Sequence, residues 1–154
     1  MVKQAPTAEI HFSLEQANAM LPLLRLIVAD ISLACRELSE RRHQFHRLVR
    51  RGDTGKSQVY RDEVDETRAD LRTETSQLEE LIRELEKLGV ILRSAYDGIV
   101  DFPTVMRDQA AYYCWKMGER KVDQWHLPNE TYSQRKTLPR DRSSYEPAHG
   151  PFSE

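Results

Sequence analysis

Two apolar stripes, each stepping by three and four residues, flank a short glycine-containing turn, and no other feature of this 154-residue chain restricts its fold as strongly. The first carries Leu24, Ile27, Ile31, Ala34, Leu38, Phe45 and Leu48. The second carries Tyr60, Val64, Leu71, Leu78, Leu81, Leu85 and Leu88. That spacing gathers the apolar side chains on one face of a helix, so each stripe predicts a long amphipathic helix. Gly52 ends the first, and GDTGKS turns the chain back. Laid antiparallel, the stripes match: Phe45 faces Val64, Leu38 faces Leu71, Ile31 faces Leu78 and Leu24 faces Leu85. Arg42 with Thr67, and Cys35 with Glu74 or Thr75, make polar or small layers. The basic run RRHQFHRLVRR then lies beside the acidic DEVDE, and each charge set suits its own helix dipole. Thirty residues at 1.5 Å rise make an arm on the order of 45 Å long, more than one small domain needs. The distal part around Phe45 and Val64 is expected to project, and projecting coiled arms meet a partner, most simply another copy.

Ser13 followed by Gln16 is a capping box, predicting a short helix from Leu14 that Pro22 interrupts. A second helix then runs from Pro22 to about Arg51, and a third from about Val59 to Leu88, with Gly89 as its cap. After Gly89 the pattern changes to β-prone runs at 90–93, 99–102, 110–117 and 122–127, with Asp97-Gly98 and Gly118-Glu119 among the turns. The expected fold class is α+β: a long antiparallel helical hairpin (13–89) with a short N-terminal helix, carrying a small antiparallel sheet (90–135). One domain covers 11–138. Residues 1–10 are expected to be flexible, and the Pro- and Ser-rich tail at 139–154 disordered or strapped over a neighbour.

Several function classes fall away. With 23 basic and 25 acidic residues, net −2, no global field steers the chain toward nucleic acid or anionic lipid. GDTGKS lacks the phosphate-loop glycine five residues before Gly55, where Arg50 stands, and a helix rather than a strand leads into it. Two cysteines cannot make a disulfide framework, which favours a reducing cytoplasm. No signal peptide is evident, and the apolar-rich stretch 20–31 is broken by Pro22, Arg25 and Asp30, so neither export nor membrane spanning is expected. The acceptor pattern Asn129-Glu130-Thr131 is then an accident of composition.

CWKMGERKVDQWH, 114–126, concentrates the reactive side chains. A two-residue Gly118-Glu119 loop pairs Met117 with Arg120, Trp115 with Val122 and Cys114 with Asp123. Tyr113, Trp115, Met117, Val122, Gln124 and His126 then share one face, and Tyr112, Cys114, Lys116, Asp123 and Trp125 the other. In this register Cys114 and His126 point through opposite sides of the sheet, so they neither ligate one metal nor form a nucleophile–base pair; a three- or five-residue loop or a bulge reverses the parity. His43 and His46 share a helix face, but no cysteine or carboxylate close in sequence completes a site. No metal site and no cofactor are expected.

The stretches FSLEQANAMLPLL, GIVDFP and CWKMGERKVDQWH, in this order around a helical middle, resemble an uncharacterised prokaryotic family, domain of unknown function 2203, over about residues 12 to 138. Its members continue after the histidine with glycine, an aromatic, glycine and arginine. Here Thr131 and Gln134 replace the glycines while Tyr132 and Arg135 keep the other two positions. The resemblance implies no known activity. It marks Asp101, Cys114, Trp115, Glu119, Trp125, His126 and Arg135 as a candidate surface, a cleft where sheet meets helices, with His126 moving or holding a proton and Arg135 clamping an anion. The plainer reading has Asp101 capping a turn, Glu119 serving the hairpin loop and His126 packed on the core. The expected function is a non-enzymatic, self-associating or protein-interaction module: a homodimer or another protein partner, with a small-molecule ligand possible and no membrane. The alternatives are a ligand-binding protein or hydrolase using His126, Glu119 and Arg135, and, third, a metal-binding protein.

Overall fold

The computed structural model describes residues 10–51 and 57–139. Ser13 opens the first helix as its capping box requires: its hydroxyl accepts the Gln16 amide at 3.0 Å, and the Gln16 side chain accepts the Ser13 amide at 2.9 Å. Helix α1, Leu14–Arg51, then runs 38 residues without a break and keeps Pro22 inside it, so the expected separate short helix is absent. A proline within a helix costs roughly 3 kcal/mol, because it removes one hydrogen bond and crowds the carbonyl four residues back. Pro22 is exposed, whereas Ala17, Leu21, Leu24 and Val28 on either side of it are almost wholly buried. Burying each larger apolar side chain contributes about 1.5–3 kcal/mol, enough to carry one helix through the defect.

Helix α2, Gln58–Glu86, starts at Ser57, whose hydroxyl accepts the Tyr60 amide at 3.2 Å. Past its end Gly89 takes φ 102°, and a Cβ there would lie 2.9 Å from Ile10. The helices pack as a hairpin. Leu38, Phe45 and Leu71 form one cluster with Val49, Val64 and Leu78 against it. Two details differ from the expected layers: Val49 takes the inward place while Leu48 is exposed, and Arg42 bonds Thr75 rather than Thr67, beside an Arg41–Glu74 ion pair. Helical side chains lean toward their own N-terminus, so a long arginine on α1 reaches about a turn nearer the hairpin base than its Cα.

Five strands follow as an antiparallel meander in sequence order: β1 Ile91–Ser94, β2 Ile99–Met106, β3 Gln109–Lys116, β4 Gln124–His126 and β5 Lys136–Thr137. Between β2 and β3, Arg107 and Asp108 both adopt left-handed φ, 51° and 65°, the conformation of a tight two-residue hairpin turn. Without glycine the turn carries no sequence signal, and β2 runs on to Met106, past the expected 99–102. Pro103 is tolerated in β2 because β1 begins at Ile91, opposite Asp101, and does not reach it; there the Pro103 carbonyl accepts the Phe12 amide at 2.8 Å instead. One sheet face packs on the hairpin base, where Val100, Phe102, Trp115 and Val122 join Phe12, Leu21, Leu24, Val28, Ile31 and Leu85. The expected flexible N-terminus and tail lie almost wholly outside the described residues.

Candidate functional site

The strand register overturns the expected parity. Tyr112 pairs with His126, Tyr113 with Trp125 and Cys114 with Gln124, so Cys114 and His126 share a face. The connection is not a two-residue loop but the odd-numbered segment 117–123, which shifts the alternation by one. Its cause is local. Glu119 folds back on β3, its amide donating to the Lys116 carbonyl at 2.9 Å and its carboxylate accepting the Lys116 amide at 2.9 Å. Val122 is then drawn into the core, where Asn18 of α1 accepts its amide at 2.8 Å and donates to its carbonyl at 3.2 Å. The chain rejoins the sheet only at Gln124.

The consequence is a polar cluster on the sheet face turned away from the helices, not a cleft between the two. Asp101 stands opposite Cys114 on neighbouring strands, and His126 follows on the next. All three are buried. The segment 127–135, a strap with a short 3-10 turn at Tyr132–Gln134, links β4 to β5 beside them. From it Arg135 donates to Cys114 Sγ at 3.7 Å and to Glu119 Oε1 at 3.2 Å, with a further short bond to Glu119 Oε2. Asp101 Oδ2 accepts from Arg93 Nε at 2.7 Å and lies 2.9 Å from His126 Nε2. His126 Nδ1 lies 2.8 Å from the Leu127 carbonyl. Asp101 Oδ1 is buried with no hydrogen-bond partner among the described residues.

Electrostatics follow from this placement. Burial pushes the Cys114 thiol up to about 12, the Asp101 carboxylate adds to the shift, and the Arg135 guanidinium opposes it. A thiol so raised stays protonated at neutral pH and is a poor nucleophile. Burial works against the charge on Arg93 and Arg135, but their bonds to Asp101 and Glu119 outweigh it and raise both. His126 faces an acceptor at each ring nitrogen.

Two other candidates lie on the opposite face of the sheet. Trp115 is fully buried in the core, its indole N–H donating to the Glu119 carbonyl at 3.0 Å. Trp125 faces away from the cluster, under Lys136, whose ammonium lies 4.5 Å from the ring centroid. Asp101 caps no turn, whereas Glu119 does hold its loop. The sequence gives no sign of Arg93 or Tyr112 here: Arg93 shares the face of Asp101 only because a bulge between Leu92 and Ser94 shifts the β1–β2 register and sets Ile91 against Asp101.

Residues 11–138 match the family described as "Uncharacterized conserved protein (DUF2203)". The chain belongs to that family. No curated protein and no solved structure matches it.

A second feature lies across the molecule. Ala19, Pro22, Leu23, Leu26, Ala29 and Leu33 line the side of α1 opposite its core face, and all are exposed. By length and composition α1 is apolar enough to cross a membrane, but its inner face is occupied by α2 and the sheet.

Proposed function

We propose that the chain works by binding, as a self-associating module whose interface is the outer face of α1 and whose partner is a second copy. The observation that carries this is the exposure of Leu26 (69%), Leu33 (58%) and Leu23 (48%) on one helix side while the opposite side is already filled by the core. A helix apolar all round is normally covered all round. Asp30 borders the stripe, which favours a protein surface with a wet rim over the interior of a bilayer. Large and small residues alternate along it. An antiparallel pairing about a two-fold axis sets Leu26 against Ala29 of the second copy and Leu33 against Pro22, so that each leucine meets a small or flat neighbour.

The ligand-binding or hydrolase reading through His126, Glu119 and Arg135 has less support. Arg135 is engaged by Glu119, both nitrogens of His126 are engaged, and the thiol beside them is protonated. Both cysteines are free thiols, in keeping with a reducing compartment.

Light scattering across a concentration series tests the association. Wild type is expected at twice the chain mass and Leu26→Glu/Leu33→Glu at the mass of one chain with unchanged circular dichroism. Equal masses for the two proteins defeat this reading.

A further inference from the structure

The polar cluster contains more than an ion-pair network needs. Asp101, Cys114 and His126 bring an oxygen, a sulfur and a nitrogen donor from three adjacent strands onto one buried face, their ligand atoms all within 4.8 Å of one another. Three donors on paired strands are held by the sheet ladder rather than by a loop, which keeps their spacing fixed.

Two further observations point to a missing ligand rather than to a finished network. Asp101 is 0% exposed; Arg93 and His126 both address its Oδ2, while its Oδ1 is buried with no partner among the described residues. A buried carboxylate oxygen without a partner carries a large desolvation cost, and a cation removes it. The His126 ring is also set as a metal-ligating ring usually is, Nδ1 held by a backbone carbonyl, here that of Leu127 at 2.8 Å, and Nε2 aimed at the cluster. With no metal, Nε2 faces a carboxylate oxygen and needs a proton between them; a cation takes that position instead.

We propose that Asp101, Cys114 and His126 form a mononuclear site for a divalent transition metal, zinc first, with Asp101 binding through Oδ1 and Arg93 holding Oδ2. Mixed oxygen, nitrogen and sulfur donors suit borderline Zn²⁺ better than the hard ions Mg²⁺ or Ca²⁺. On binding, the Cys114 S–H proton and the proton between His126 Nε2 and Asp101 Oδ2 both leave to solvent, and the metal forms bonds to the thiolate sulfur, to Nε2 and to Asp101 Oδ1. The carboxylate and thiolate then balance the two charges of the cation. Arg135, paired with Glu119, also donates to Cys114 Sγ at 3.7 Å and so favours its thiolate, and Arg93 is half-exposed at the rim. Three protein ligands leave a fourth position for water or an exchangeable ligand, the pattern of reactive rather than purely structural zinc. This site is independent of the α1 interface and stands if the chain proves monomeric.

The test uses full-length protein without a histidine tag, stripped with chelator and titrated with Zn²⁺ or Co²⁺ alone. The expected result is one equivalent bound, with a thiolate-to-cobalt charge-transfer band in the near ultraviolet. Cys114→Ser should abolish that band, Cys35→Ser should keep it, and Asp101→Asn should weaken zinc by about a hundredfold, the scale on which shells of a metal site are felt. Arg93→Gln, which removes only the group that holds Oδ2, should weaken it about tenfold. Should the Cys114 or Asp101 variants fail to fold, the wild-type spectrum still decides. Wild type that binds no metal at micromolar concentrations, or binds cobalt without the thiolate band, overturns the proposal, as does a Cys35→Ser variant that loses the band.

Discussion

The outer face of α1 and the outer face of the sheet invert the usual rule in opposite senses. On α1, Leu23, Leu26 and Leu33 stand exposed among the described residues. On the sheet, a carboxylate, a thiol and an imidazole lie beside a strap and out of water. The core between the two obeys ordinary physics, with Val100, Phe102 and Trp115 packed against Leu21, Leu24 and Val28. Local departures from the inside–outside pattern mark the places where a chain is selected for something besides folding. The contrast separates two kinds of departure: among the described residues the α1 face leaves apolar side chains exposed, and the sheet face buries a carboxylate oxygen without a partner.

Changes at the sheet face should have the largest effect on folding. Asp101→Ala leaves His126 and Arg93 without their shared acceptor and should lower unfolding stability by roughly 3–5 kcal/mol, the usual cost of breaking a buried pair from one side. Urea midpoints measure it, and a loss below 1 kcal/mol would mean that the cluster is not structurally coupled. Next comes pH. The folded thiol of Cys114 titrates at about 12, above its ordinary range, so its contribution is complete below about pH 8.5 and declines as pH rises toward 12. Wild type should therefore lose stability between pH 8.5 and 10 more steeply than Cys114→Ala, by up to about 1.4 kcal/mol per pH unit; parallel curves would show that the thiol is not held protonated. Glu119→Gln removes the charged partner of Arg135 at a partly exposed position and should cost only about 1 kcal/mol, with faster amide exchange in the strap as its signature. The smallest effect on folding belongs to the α1 face. Leu26→Glu/Leu33→Glu should change monomer stability by about 0.5 kcal/mol or less while removing association, since an exposed leucine contributes little to its own fold.

Much of this architecture is legible in the sequence, for a physical reason in each case. The hairpin is readable because Leu38, Phe45 and Leu71 repeat at helical spacing, and its start because Ser13 and Gln16 can cap each other. The continuity of α1 across Pro22 is not legible, because local propensity carries no information about Leu21, Leu24 and Val28, whose burial holds the helix together there. The site is half legible. Asp101, Cys114, Glu119, His126 and Arg135 were all picked out, but their faces depend on a parity set by Asn18, more than a hundred residues from Val122 in the chain. A contact that distant leaves no local trace, so a two-residue loop looked sufficient. The Arg107-Asp108 turn is invisible for the opposite reason: its conformation is local, but its residues are not those that usually adopt it.

Concentration-dependent footprinting of the wild-type protein tests the central claim, that the outer face of α1 is an interface, most directly. Side chains are labelled by hydroxyl radicals in dilute and in concentrated solution and compared residue by residue. The account predicts that Leu23, Leu26 and Leu33 lose labelling as concentration rises while Leu48, exposed at the far end of the same helix, does not. Labelling of those three leucines that stays constant across the series, or protection that appears at Leu48 instead, would contradict it.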